Sequence, residues 1–169
     1  MLRLCLRLAR GWLMNIFYLS RDPVLCAEMH CDKHVVKMIL ETAQLLSTAH
    51  HELGSTAPYK VTHRNHPSAV WARSGRYQYR WLYELLEALS DEYSKRYGKV
   101  HLTWQKCSEA LREPPKGIPN IEWTDPPQCM PDECKDDTGA VIAYRKYYTH
   151  KAKEWLDRGM TMKWYGVAL

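Results

Sequence analysis

The sequence predicts an all-α fold, on three observations. Two long stretches carry apolar residues at helical spacing, each between a helix-start signal and a stopping glycine. Two shorter stretches repeat the pattern nearer the C-terminus. The segment between these last two holds six prolines and no period. The expected architecture is a compact single domain of four main helices, with a proline-rich loop between helices three and four.

Residues 1–13 (MLRLCLRLARGWL) are basic and apolar in helical alternation and unlike the rest. They read as an N-terminal extension or amphipathic arm ahead of a start at Met14, which leaves residues 14–169 as the single helical domain. Met14-Asn15-Ile16-Phe17-Tyr18-Leu19 then reads as a short buried strand or turn. Asp22-Pro23 is an N-cap acceptor followed by proline in the first turn. Helical periodicity runs from about Val24 to Leu53 and stops at Gly54. Wound at 100° per residue, Val36, Ile39, Leu40, Ala43 and Leu46 share an apolar face. His30, His34, Lys37, Glu41, Gln44 and Thr48 form a narrow polar stripe, and Asp32 falls on the apolar side. After a loop over 55–66, Asn65-His66-Pro67 opens a second long helix that ends at Gly98. A third spans about Val100 to Arg112. The proline-rich loop covers Glu113 to Asp137, and a last helix runs from about Thr138 to Arg158.

At 169 residues the chain fits one domain and buries about two-thirds of its unfolded surface without disulfide staples. The six cysteines (Cys5, Cys26, Cys31, Cys107, Cys129, Cys134) are therefore expected as reduced thiols in a cytoplasm. No apolar run approaches the ~20 residues of a membrane span, so no membrane partner is expected. The net charge of +5 is modest, but its distribution is uneven. Leu53 to Tyr83 contains no acid, yet holds Lys60, Arg64, Arg73, Arg76 and Arg80. Gly139 to Lys153 is also acid-free, with Arg145, Lys146, Lys151 and Lys153. Seven Trp and eleven Tyr against one Phe favour half-buried aromatic surfaces with a polar handle.

Two constellations carry chemistry. On the first helix, His30, Asp32, Lys33, His34, Lys37 and Glu41 could supply a general base, a phosphate contact or an amine nucleophile, or else form a solvated face with a Lys37–Glu41 pair. A carboxylate at Asp32 on an apolar face must be paired, neutral or part of a cleft, and a histidine or arginine of the second helix could pair it. In the second, His63, Arg64 and His66 precede a helix N-terminus. Arg73, Arg76 and Arg80 follow at i, i+3 and i+7, with Tyr77 and Trp81 interleaved. Basic side chains neutralise phosphates and aromatic faces stack on bases. The alternative is an ordinary basic face with its tryptophan in the core. His30, Asp32, His34 and His66 are expected to border one cleft. The Cys and His spacings match neither a zinc finger nor a paired CxxC site, and no metal or cofactor is expected.

The segments CDKHVVKMILETAQLLSTAHH, APYKVTHRNHPSAVWAR, EYSKRYGKVH and AYRKYY resemble an uncharacterised family of bacteriophage proteins. More distantly, the order of features resembles the pyrimidine-dimer DNA glycosylases of the phage endonuclease V type. The matching features are His66-Pro67 before a long helix, Lys95-Arg96-Tyr97-Gly98, and the tail Lys163-Trp164-Tyr165-Gly166. The resemblance implies an all-α fold and removal of a damaged or modified base from double-stranded DNA, in the cytoplasm of an infected bacterium, with the base flipped out of the stack. In that family the N-terminal amine attacks the sugar C1′ to form an imine, and a glutamate on the first helix assists. Here Asn15, not threonine, follows Met14. The carboxylate falls on Glu28 or Asp32. A substitute amine falls on Lys33 or Lys37, on the condition that burial or neighbours lower its pKa. The candidate catalytic set is thus Glu28, His30, Asp32, Lys33, His34 and His66. The candidate DNA contacts are Lys37, His63, Arg64, Arg73, Arg76, Tyr77 and Arg80. A non-catalytic nucleic-acid-binding protein and a metal-dependent nuclease are the rival readings.

Overall fold

The computed structural model describes residues 15–159, the Trp155 side chain apart. The arm expected at 1–13 and the tail motif at 163–166 lie outside the described residues. Among the described residues there are six α-helices, one 3-10 turn and no strand. The helices are α1 (Pro23–Glu28), α2 (Asp32–Glu52), α3 (Pro67–Ala72), α4 (Arg76–Tyr97), α5 (Leu102–Leu111) and α6 (Ala140–Asp157). The 3-10 turn is Asp132–Cys134. Four of the helices are long, as expected. The two long stretches of helical pattern each contain a break.

The first break lies at Met29–Cys31. Asp22 caps α1 by accepting from the Leu25 N–H at 2.9 Å, with Pro23 behind it. The helix cannot continue because its backbone groups are claimed from outside. Arg96, on the last turn of α4, donates to the carbonyls of Glu28 (3.0 Å) and His30 (2.8 Å). The Cys31 N–H donates to the Tyr148 hydroxyl of α6. The restart rephases the pattern. Ile39, Ala43 and Leu46 are buried as expected, but Val36 and Leu40 are exposed (41% and 39%) while His34 and Thr48 turn inward.

The second break lies at Arg73–Gly75. A Cβ on Gly75 would stand 2.6 Å from the Ile121 side chain, because the proline-rich loop crosses here. The Arg76 N–H donates to the Pro119 carbonyl at 2.9 Å. Gln78 reaches the Glu122 carbonyl at 2.9 Å, and Trp71 Nε1 donates to the Thr124 carbonyl at 3.0 Å. Side chains of α3 and α4 therefore hold this loop, and Pro115, Ile118 and Pro126 are buried within it. At its other end α4 stops at Gly98, whose φ of 67° is left-handed and costs glycine little.

α4 is the hub, packing against α1, α2, α3 and α5. Its buried Leu82, Leu85, Leu86 and Leu89 meet Val35, Met38, Ile39, Leu45 and Leu46 of α2 in one core. One corner is a cluster of tryptophans. Trp71, Trp81 and Trp123 lie 5.8–6.2 Å apart edge to face, and Tyr18 adds a contact to Trp81 at 5.0 Å. Trp81 Nε1 donates to the Arg21 carbonyl, and Trp123 Nε1 and Tyr18 both donate to Asp125. Residues 15–20 form an irregular segment, buried at every position, instead of a strand. Their partners are distant in sequence: Arg145 of α6 donates to the Leu19 carbonyl at 2.8 Å, and Asn15 donates to the Cys129 carbonyl at 3.2 Å.

Candidate functional site

The segment 15–20, the start of α2 and α6 meet around Phe17. The Phe17 ring stacks on His34 at 4.2 Å and 13°. Tyr148 closes the group at 5.3 Å from His34 and 5.5 Å from Phe17, and His30 meets Phe17 edge-on at 6.0 Å. His30 Nδ1 donates to the Cys26 carbonyl at 2.6 Å, so in the neutral ring Nε2 is the bare acceptor. That Nε2 is buried with no hydrogen-bond partner among the described residues. Burial pushes the His30 pKa down to about 4, with the Arg96 charge adding to it. Burial pushes His34 down to about 2, and His30, Lys151, Lys37 and Lys33 all act in the same direction. Both rings are therefore neutral near pH 7. The charges of three lysines reach His34, two from α2 and one from α6, whose Lys151 ammonium lies over the Tyr147 ring at 4.8 Å.

The polar stripe of α2 continues from this point. Lys37 pairs with Glu41 at 2.9 Å, with their side chains 29% and 12% exposed. The second Glu41 oxygen, Oε2, is buried with no hydrogen-bond partner among the described residues. At the far end Thr48 bonds both the N–H and the carbonyl of Thr62, each at 3.2 Å. The stripe thus reaches from Phe17 and Tyr148 to the loop that carries His63 and His66.

Asp32 begins α2 and is not embedded in an apolar face. Its carboxylate meets Arg96 at 3.1 Å, the arginine partner expected for it. Arg96 is 8% exposed, also grips Glu92 at 2.7 Å, and with its two carbonyl contacts clamps the α1–α2 joint to the end of α4. The Glu28 side chain is exposed, and only its carbonyl joins this clamp. Lys33 is exposed. His66 caps α3, its Nδ1 accepting from the Ser68 N–H at 3.1 Å, and burial lowers its pKa. It is tied to the Phe17 region only indirectly: Ser68 Oγ lies 3.8 Å from Cys129 Sγ, and Asn15 holds the Cys129 carbonyl.

The expected DNA contacts separate into two groups. Arg76, Tyr77 and Arg80 lie on an exposed side of α4, with Tyr77 at 53%. Arg73 instead ends α3, half-buried, with its Nη1 unpartnered. In the loop before α3, Arg64 pairs with Glu52 at 2.7 Å, and His63 adopts a left-handed φ of 49° beside the Thr62 hydroxyl. Farther along α4 the charge reverses. Glu84, Glu87 and Asp91 line a groove of about 220 Å³ with Pro23, Val24 and Ala88. This acidic face opposes a phosphate backbone.

The sequence reading passed over Phe17, Tyr148, Lys151 and Arg96 as site residues. One signal was available: Phe17 is the single Phe in a chain rich in Trp and Tyr. The five cysteines among the described residues are free thiols, and burial raises each pKa, Cys26 to about 11. None is held as a thiolate nucleophile. Among the described residues no group of three or more His, Cys, Asp or Glu side chains forms a metal-binding cluster, and no helix is long and apolar enough to cross a membrane.

No curated protein and no solved structure gives a significant match to the chain. The family model described as pyrimidine dimer DNA glycosylase matches residues 14–106, more than half of the chain, including all of the α2 stripe and the Arg96 clamp, and the chain belongs to that family.

Proposed function

We propose that this protein is a DNA glycosylase that removes a damaged or modified base from double-stranded DNA. The observation that carries the reading is the family match across α2, the helix on which buried His34 feels the charges of three lysines. The target nucleotide turns out of the duplex towards the stripe, because a stacked base is out of reach of side chains that act on its sugar. Lys33, Lys37 and Lys151 hold the flanking phosphates. Neutral His30 and His34 offer hydrogen bonds without adding charge beside them. Asp32, through Arg96, fixes the first turn of α2, and Glu28 lies at the edge of that joint. His66 and His63 border the other end of the stripe. Arg73, Arg76, Tyr77 and Arg80 extend the contact along the duplex. The setting we propose is the cytoplasm of a phage-infected bacterium.

The test uses duplexes with one defined lesion, beginning with a cyclobutane pyrimidine dimer, in buffer containing a chelator. The expected result is release of the base and an alkali-labile abasic site. Strand cutting that disappears with chelator would make the protein a metal-dependent nuclease. Tight binding with no base release on any lesion would make it a binding protein.

A further inference from the structure

Apolar side chains scattered over a surface are ordinary, and apolar side chains that gather are informative. Leu102 is 77% exposed, the most of any large apolar side chain among the described residues. It stands at the start of α5, and Tyr97 and Val100 just before it are exposed as well. So are Val36 and Leu40 of α2, the helix that α5 packs against. The two helices are tied together here. The His101 ring caps α5, its Nδ1 accepting from the Thr103 N–H at 3.1 Å, and is hydrogen-bonded to the Val36 backbone. The Tyr97 hydroxyl donates to the Asp32 carbonyl at 3.4 Å. Tyr93 packs edge-on against His101 and tilted against Tyr97, both at 4.9 Å. The turn is thus held from below while Leu102 projects from it, and a tip fixed in place loses little freedom on binding.

The charge around the tip selects its occupant. Tyr93 to Ser108 contains no Asp or Glu but holds Lys95, Arg96, Lys99 and Lys106. Of these, Lys95, Lys99 and Lys106 are exposed. On α2, Lys33, Val36, Lys37 and Leu40 fall at i, i+3, i+4 and i+7, so one face of the helix alternates cation and hydrocarbon. A second copy of the chain docked here about a two-fold axis would set these cations against themselves. A DNA duplex fits both features, because lysines take its phosphates and an apolar side chain enters between its bases. Resting on the glycosylase reading, we propose that Leu102 is a wedge that enters the base stack and fills the space left when the target nucleotide turns out towards the α2 stripe. The gap then keeps an apolar neighbour on each side, and the nucleotide cannot fall back into it. Lys33 and Lys99 hold nearby phosphates. Leu102 touches no reacting atom and acts as a positioning residue.

The experiment measures two quantities on the full chain: affinity for a duplex with a preformed abasic site relative to an intact duplex, and base release from a damaged duplex. The parent protein is expected to prefer the abasic duplex by about 10-fold or more, because its gap is already open. Leu102→Ala is expected to melt within about 2 °C of the parent. It should bind intact duplex as before, lose the abasic preference, and release the base about 30-fold more slowly with KM changed less than about threefold. Leu102→Met keeps a long apolar tip and should restore both. A Leu102→Ala variant with full preference and full rate overturns the wedge. So does a parent dimer that this substitution dissociates, which would give the face to a second copy. The abasic duplex needs no base removal, so the two readings fail separately. Base release by a parent protein with no abasic preference sinks the wedge alone. An abasic preference that depends on Leu102, with no release from any lesion, sinks the glycosylase reading alone.

Discussion

Two aromatic clusters take adjacent residues of the segment 15–20, Phe17 and Tyr18, and they are built to different standards. Around Trp71, Trp81 and Trp123 every indole N–H has an acceptor, and the Tyr18 hydroxyl shares Asp125. Around Phe17 the packing is as close, but it encloses two histidines, and His30 Nε2 has no partner. One corner is satisfied and apolar. The other keeps hydrogen-bonding capacity in a place where it costs stability. The difference separates a corner whose polar groups are all used from one that keeps an unused acceptor, and it can be broken by substitution.

The largest effect is expected at the satisfied corner. Trp81→Ala removes a 7%-exposed ring that touches Tyr18, Trp71 and Trp123, and should lower stability by about 3–5 kcal/mol. Chemical denaturation reads this directly. A loss below about 1 kcal/mol would mean that the cluster does not anchor the loop.

At the other corner stability should depend on pH. The folded-state pKa values of His30 and His34, about 4 and about 2, lie below the unfolded value of about 6.5. The unfolded chain therefore binds protons first. Stability is fully present above pH 6.5 and falls as the pH drops, reaching a loss of about 2 kcal/mol per ring by pH 5. Melting scans from pH 7.5 to 5 would show it. A flat profile would place these rings in water.

Asp32→Asn removes one of two carboxylates on Arg96 and should cost about 1–2 kcal/mol, or roughly 3–6 °C in melting temperature. Glu92 still holds the guanidinium, so the fold persists while the first turn of α2 loosens. Base release at full speed in this variant would show that the clamp is scaffold only.

His34→Phe sharpens the contrast most. It replaces a buried imidazole with an apolar ring in the same stack and should change stability by less than about 1 kcal/mol in either direction. Base release should fall by 100-fold or more, about the weight of one positioned proton-handling group. Full activity in this variant would remove His34 from the site.

The smallest effect on the fold is expected on the surface. Arg76→Glu with Arg80→Glu should shift stability by no more than about 0.5 kcal/mol, yet weaken DNA binding and flatten its salt dependence. Unchanged affinity at low salt would remove α4 from the interface.

Helix starts and stops were legible in the sequence wherever the signal is local. Asp22-Pro23, His66-Pro67 and Gly98 mark real ends because capping and a left-handed φ depend on neighbouring residues. The breaks at 29–31 and 73–75 were not legible, because their causes are Arg96, Tyr148 and Ile121, which lie far along the chain. The α2 stripe was legible as a row but not in its sense. A row of histidines and a lysine reads as a wet surface until Phe17 and Tyr148 are known to cover its first turn. Asp32 was recognised as needing a cation, and the structure supplies one 64 positions away.

The segment 15–20 also sets an order of assembly. It is among the first parts of the domain to leave the ribosome, yet its partners come near the end of synthesis. Tyr144 bonds Asn15 across 129 positions, Arg145 bonds Leu19 across 126, and Tyr148 bonds Cys31 across 117. Helices α1 to α5 can pack their shared core while α6 is still being made. The cluster around Phe17 cannot close until it arrives, and contacts of such long range form slowly. The corner that holds His30 and His34 is therefore completed last, after the core of α1 to α5.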